Sequence, residues 1–122
     1  MEKNTNMEFN EKMRERTKKF ALDIIKMSDL FPAKTSAKVL EKQLLRSATS
    51  MAANFRAACR GRSKNEFYSK ICIAVEESDE TQFWLELIKD SNIISDLHVN
   101  PLLNEISEIT AIVTSIKHKL KQ

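Results

Sequence analysis

Apolar residues recur along the chain at alternating steps of three and four, the spacing of a helix that buries one side. Four segments show this spacing, and each predicts one helix. The first covers about residues 8–30, and Pro32 ends it because proline cannot continue a helix. Its inner stripe consists of Met13, Thr17, Phe20, Ile24, Met27 and Phe31.

The second predicted helix spans about residues 36–59 and the third about 64–92. Gly61 stands between them, where we predict the left-handed conformation that often follows a helix end. Ser63 and Glu66 have the spacing of a capping box, in which each side chain accepts a hydrogen bond from the other residue's backbone N–H. The inner stripes are Leu40, Leu44, Ser47, Met51, Phe55 and Ala58, then Phe67, Ile71, Ala74, Ser78, Thr81, Leu85 and Ile88.

The fourth predicted helix spans about residues 101–120, with Asn100 as its N-cap and Pro101 at its first position. Helices of about 20 residues are about 30 Å long, and short connections place neighbours antiparallel. The sequence therefore predicts one domain, residues 1–122, with an up-down-up-down four-helix bundle. The inner stripe of the fourth helix is Leu102, Ile106, Ile109, Val113, Ile116 and Leu120.

The composition supports an all-α fold, because one glycine and two prolines leave few sites for the turns of a strand-rich protein. The sequence has no apolar run long enough for a membrane span and no secretory signal, so we expect a cytoplasmic protein without membrane contact. Cys59 and Cys72 lack the CxxC spacing of a zinc or redox site. We predict that both are buried free thiols.

The charge is divided unevenly along the chain, although the net charge is only +3. Residues 34–64 contain eight Lys or Arg and one acidic residue, whereas residues 65–96 contain eight acidic residues and two Lys. Adjacent segments of opposite sign indicate complementary packing, within or between subunits, before they indicate a ligand.

The basic residues of the second helix lie opposite its inner stripe. Lys38 and Arg56 share one side of the helix, because 18 residues make about five turns. Three interpretations remain open for this surface: a solvated charged face, a subunit contact and a nucleic-acid interface. Ala52 and Ala53 lie between the basic ends and would let another helix approach closely. The candidate nucleic-acid-binding residues are Lys38, Lys42, Arg46, Arg56, Arg60, Arg62 and Lys64.

The third helix has a second apolar face, in which a tryptophan and two aliphatic residues surround two carboxylates. Aromatic residues in such patches are typical of protein interfaces. We therefore predict a homo-oligomer in which these carboxylates pair with arginines of another protomer, such as Arg46 or Arg56. The subunit-interface candidates on this helix are Ile73, Glu77, Glu80, Trp84 and Leu87, and they join Ala52 and Ala53.

Catalytic chemistry finds little support in the residue pattern. Neither His98 nor His118 has a glutamate three residues before it, as a di-iron bundle requires. No histidine is placed to activate a serine, and a single glycine cannot build a glycine-rich phosphate loop. We therefore predict no catalytic residue, no metal site and no cofactor.

Three stretches carry a family resemblance: FALDIIKMSDLFP, QLLRSATS and SMAANFRAACRGRSKNEFYSKICIAVEESDETQFWLELI. They resemble the bacterial four-helix-bundle proteins encoded within intervening sequences of 23S ribosomal RNA genes. The resemblance covers roughly Phe20 to Ile88, and the chain departs from it at Phe55 and Arg56, which make the local surface more basic. Its most specific positions are Gln43, Leu44, Arg46, Ser47, Ser50, Ala53, Asn54, Ser63, Lys64, Phe67, Glu77, Glu80, Thr81, Trp84 and Leu85.

The resemblance implies a protomer that assembles into a ring, usually a homopentamer, without known catalytic activity. A related branch, the accessory proteins of diversity-generating retroelements, binds reverse transcriptase and nucleic acid, but it is much more basic than this chain. Two hypotheses follow. The chain is an oligomeric scaffold whose basic surface contacts RNA or a ribonucleoprotein, or it is a protein-interaction module whose arginines are used in subunit contacts.

Overall fold

The computed structural model describes the backbone of residues 2–121 and the side chains of residues 7–121. This part of the chain contains helices and no strand, as the sequence predicts. A short 3₁₀ helix, Ser28–Leu30, follows the first α-helix. The α-helices are α1 (Glu2–Met27), α2 (Thr35–Cys59), α3 (Lys64–Asp90) and α4 (Asp96–Lys121).

Contacts between α1 and α2 link opposite ends of the two helices. Ser28 Oγ donates to Glu41 near the start of α2, at 2.5 Å. The Cys59 thiol, at the last residue of α2, lies 3.9 Å from the Asn10 carbonyl oxygen near the start of α1. This pattern is compatible with the predicted up-down-up-down order. The most extensive helix pairing joins α2 to α3, whereas α1 and α4 make a much smaller one.

The bundle core forms from the four stripes that the sequence predicts. Every stripe residue is buried or half-buried, and the stripe centres, such as Ile24, Leu44 and Ile106, have no exposed surface. Four hydroxyl residues are also buried, and each donates to a carbonyl oxygen one turn earlier on its helix. Their hydrogen bonds offset the cost of burial, so polar atoms sit in the core without a missing partner. These residues are Thr17, Ser47, Ser78 and Thr81.

The two cysteines differ from the prediction, because both are half-buried rather than buried. Both are free thiols, as expected. Partial burial raises the pKa of the Cys59 thiol, since desolvation disfavours the thiolate.

The prediction for Gly61 is wrong, because its φ angle is not positive. A Cβ at this position would lie 3.1 Å from the Phe67 nitrogen and 3.2 Å from the Ala58 oxygen. A side chain at this position would therefore crowd the two helix ends by a few tenths of an ångström. Half of the predicted capping box forms, because Ser63 Oγ accepts from Glu66 N–H at 3.1 Å. The Glu66 carboxylate accepts from the Arg62 N–H instead of that of Ser63.

The predicted start of the fourth helix is also wrong, because α4 begins at Asp96 and contains Pro101 within it. The N–H groups of His98 and Val99 donate to the Ser95 carbonyl and close the first turn. Pro101 has no N–H to donate to the carbonyl four residues earlier, which belongs to the exposed Leu97 and remains open to water. Full burial of Val99 holds this turn against the core and outweighs the local preference of proline.

Asn92 ends α3 in the left-handed conformation, with φ of 58°. We expect Asn92→Ala to lower the free energy of unfolding by about 1 kcal/mol, because alanine meets steric strain there that asparagine tolerates better. Asn92→Gly is the matched control and should stay near the wild-type value, because glycine adopts this conformation without strain. Urea denaturation measures both, and equal stability of the alanine variant and wild type would contradict the prediction.

Among residues 7–121, one ion-pair cluster links the middle of α1 to α4. The Arg16 guanidinium contacts both carboxylate oxygens of Glu105 at 2.7 Å and one oxygen of Glu108 at 3.1 Å. This pairing raises the pKa of Arg16, and the hydrogen bonds from Arg16 lower the pKa of Glu105. The cluster compensates in part for the limited contact between these two helices.

The lowered pKa of Glu105 predicts a stability difference that depends on pH. Its ion pair stabilises the fold above the unfolded-state pKa, and the contribution is lost as pH falls through the folded-state pKa. We expect Glu105→Gln to cost about 0.5–1 kcal/mol at pH 7, with the difference from wild type vanishing in acid. Thermal unfolding at pH 7 and pH 3 tests this. Glu76→Gln is the control, since Glu76 is exposed and makes no ion pair within residues 7–121. An equal loss of stability in Glu105→Gln at pH 7 and at pH 3 would contradict the prediction.

Candidate nucleic-acid interface

The seven predicted nucleic-acid-binding residues are all exposed, but they do not form one surface. Arg46 faces α3, whereas Arg56 and Arg60 face a groove beside α1. A step of ten residues along α2 turns a side chain by about 80° and moves it about 15 Å along the helix axis. The structure therefore separates residues that the sequence grouped together.

Arg46 pairs with acidic residues of its own chain. Its guanidinium lies 3.1 Å from Glu77 Oε2 and also contacts the Glu80 carboxylate, which accepts a 3.1 Å hydrogen bond from Trp84 Nε1. The hydrogen bond with Glu80 raises the pKa of Arg46 and lowers that of Glu80. The sequence predicted this pairing between protomers, but the structure makes it within one chain. The positive charge of Arg46 is thus largely compensated.

Arg56 lies in the last turn of α2, Arg60 is the residue that directly follows this helix, and both line a groove between α1 and α2 with a volume of about 440 Å³. Within residues 7–121, neither arginine makes an ion pair. Two further cations come from α1, and small alanine side chains leave the space between them open. We call this feature the α1–α2 basic groove; it is lined by Arg14, Glu15, Lys18, Ala52, Ala53, Arg56 and Arg60.

The sequence analysis missed the contribution of Arg14 and Lys18. Their spacing of four residues places them on one side of α1, and an antiparallel register between α1 and α2 would have placed that side beside Arg56 and Arg60. Arg14 contacts Glu11 only loosely, at 3.7 Å, and Glu15 is the one acidic residue among those that line the groove. The groove therefore carries four cations and one anion, an arrangement suited to phosphate groups.

The remaining candidates do not line the groove. Lys38 and Lys42 are exposed near the start of α2, and Lys42 lies about 21 Å along the helix axis from Arg56. Arg62 lines a separate shallow hollow of about 410 Å³ at the turn into α3, which it shares with Arg60, Glu66 and Lys70. Lys64, the first residue of α3, is exposed beside this turn.

The outward surface of α3 combines apolar and acidic side chains, as the sequence predicts. Its five predicted interface residues, Ile73, Glu77, Glu80, Trp84 and Leu87, are all half-buried within the single chain. Sequence reasoning missed Phe83, which is 50% exposed and lies beside Trp84, with ring centroids 5.1 Å apart. These six residues are the α3 outer face. Ala52 and Ala53, which the sequence grouped with them, line the α1–α2 basic groove instead.

A family model described as 23S rRNA-intervening sequence protein matches residues 10–115. The chain belongs to this family. The match extends beyond the region that carries the resemblance in the sequence and includes most of α4. Membership agrees with the predicted four-helix architecture, and the family description does not specify a biochemical activity.

A solved crystal structure is similar to this chain over most of its length. It is a protein of unknown function from the S23 ribosomal protein family of Bacteroides thetaiotaomicron, solved at 1.70 Å. The two chains are 31% identical, and the match covers 86% of this chain and 97% of that one, with a TM-score of 0.79. No functionally curated protein matches the chain.

Residues 2–121 contain no helix with the length and apolarity required to cross a membrane. Residues 7–121, whose side chains are described, contain no group of three or more His, Cys, Asp or Glu positioned to hold a metal ion.

Proposed function

We propose that this 23S rRNA-intervening sequence protein is a non-enzymatic RNA-binding protein that contacts RNA phosphates through the α1–α2 basic groove. The observation that supports this most directly is the convergence of four cations from two helices around one acidic residue. Its action on RNA would take place in the cytoplasm, as the sequence predicts.

The groove has the chemistry that phosphate recognition requires. The guanidinium groups of Arg56 and Arg60 can each donate two hydrogen bonds to a phosphate, and their separation along α2 is about 6 Å. Ala52 and Ala53 keep the space between the cations free of bulky side chains, so a nucleic-acid backbone could enter. The family description names 23S rRNA, which favours RNA over other polyanions as the ligand.

Three single substitutions on α2 test the proposal. We expect Arg56→Gln and Arg60→Gln each to weaken binding of a fluorescently labelled RNA several-fold at low salt, because each removes one phosphate contact. Arg46→Gln is the matched control and should bind nearly as wild type, since its charge is compensated by Glu77 and Glu80. Anisotropy titrations measure the affinities. An equal loss in all three variants, or no binding by wild type at low salt, would reject the groove.

We further propose that the chain assembles into a homo-oligomer through the α3 outer face, with five copies as the number that the family resemblance favours. Phe83 and Trp84 support this, because paired aromatic rings at a half-exposed position are typical of interface anchors. Val39 is 54% exposed and would extend the apolar surface onto α2. Arg46 of α2 contacts Glu80 of α3. In an antiparallel pair of helices, Val39, seven residues before Arg46, would lie near Leu87, seven residues after Glu80.

Light scattering tests the assembly. Wild type should have a mass several times the 14.1 kDa of one chain, and Phe83→Ser should shift it toward the monomer. Phe83 is half-exposed, so this substitution should leave the helical content unchanged. A monomeric wild type would reject assembly. An oligomer that binds no RNA at low salt would favour the alternative function, a protein-interaction scaffold.

A further inference from the structure

The bundle contains an apolar cavity at one end that has no role in the proposed function. It lies between the N-terminal half of α1, the start of α3 and the last turns of α4, and its volume is about 700 Å³. Small-molecule sites typically have volumes of about 300–1,000 Å³. We call it the end cavity; its described lining consists of Phe9, Asn10, Phe67, Ala111, Ile112, Ser115, Ile116, Lys119 and Leu120.

Among the described side chains, residues 7–121, the inner stripe of α4 becomes less buried toward the C-terminus. Ile106, Ile109 and Val113 are fully buried, whereas Ile116 and Leu120 remain partly exposed. On the opposite wall, Phe9 is 44% exposed. The apolar residues around the cavity therefore form a continuous surface that water contacts, which is unfavourable unless a ligand covers it.

The polar groups of the cavity limit the chemistry of that ligand. Lys119 is the one ionisable side chain among the described lining residues. The last turn of α4 also carries Lys121, so two full positive charges outweigh the partial negative charge of the helix C-terminus. An occupant that matches these features has an apolar chain and one anionic group.

We propose that the end cavity binds a carboxylate amphiphile of the fatty-acid class. Its hydrocarbon chain lies among Phe9, Phe67, Ile112 and Ile116, and its carboxylate lies beside Lys119. The described lining supplies one cation and an apolar surface on three helices, which matches one anionic group and a hydrocarbon chain. This site is independent of the α1–α2 basic groove, which shares no lining residue with it.

Calorimetric titration of the full chain with decanoate and with decan-1-ol tests the proposal. Wild type should bind decanoate saturably, with one molecule per chain, and should bind the uncharged alcohol more weakly. Lys119→Gln should weaken decanoate binding about three- to tenfold and leave decan-1-ol binding unchanged. Lys117→Gln is the control on the same helix and should bind both probes as wild type does, because Lys117 does not line the cavity.

Ser115→Trp provides a second test, because an indole from this exposed position would fill the cavity without replacing a core residue. Binding of both probes should fall at least tenfold while circular dichroism shows unchanged helical content. Absence of saturable decanoate binding by wild type, or undiminished binding in Ser115→Trp, overturns the site. Equal decanoate affinity in Lys119→Gln and wild type overturns the carboxylate assignment.

Discussion

RNA binding by the chain should weaken about 50- to 150-fold when the salt concentration rises from about 50 to 200 mM. The estimate assumes that the four cations of the α1–α2 basic groove each neutralise one phosphate. The logarithm of the affinity should then fall with the logarithm of the salt concentration with a slope of about −2.8 for single strands and about −3.6 for a duplex. Anisotropy titrations at five or six salt concentrations would give this slope.

The slope also identifies which arginines contact phosphate. Removing two contacts with Arg56→Gln and Arg60→Gln together should halve it, to about −1.4 or −1.8. Arg46→Gln should leave it nearly unchanged, because Arg46 already pairs with two carboxylates of α3. A wild-type slope near zero would exclude phosphate binding, and a halved slope for Arg46→Gln would move the interface from the groove to the α2–α3 side.

Leu44→Ala should lower the free energy of unfolding by about 2–5 kcal/mol, the largest effect on stability that we expect from one of these substitutions. Leu44 has no exposed surface and lies in the core stripe of α2, which makes the most extensive helix pairing in the described structure. Removing its isobutyl group loses both the transfer free energy of the buried atoms and the contacts around the cavity that remains. Urea denaturation at fixed protein concentration measures the loss.

Leu22→Ala is the matched control, with the same chemical change on the outer side of α1. Leu22 is 46% exposed, so the substitution should change the free energy of unfolding by less than about 1 kcal/mol. Similar losses for the two variants would show that the α2 stripe is not the centre of the core.

The helix stripes could be predicted from the sequence because burial repeats with the helical period and requires only the order of residues along one helix. The start of α4 could not be predicted in the same way. Asn100 and Pro101 form a strong local start signal, but burial of Val99 and bonds from Lys89 to Asp96 and Asn100 stabilise an additional turn before them. These contacts come from α3 and the core, so they cannot be predicted from the residues around Asn100 and Pro101 alone.

The candidate site could be predicted only in part, because it depends on which helices are neighbours. The sequence identifies Arg46, Arg56 and Arg60 as outward-facing, which the structure bears out. It does not specify which neighbouring helix each one faces, and so it could not separate the paired Arg46 from the arginines of the groove. Likewise, Arg14 and Lys18 become relevant only once the register between α1 and α2 is known.

The charge division along the chain has a kinetic consequence. The cations of the groove lie on α1 and α2, while the exposed Glu76, Asp79 and Glu86 lie on α3, about one helix diameter away. Each chain is therefore an electric dipole. The field of a polyanion would turn the groove of the chain toward the ligand before contact. Such steering acts on the association rate, which should fall steeply with ionic strength, while the dissociation rate depends more on the contacts made after docking.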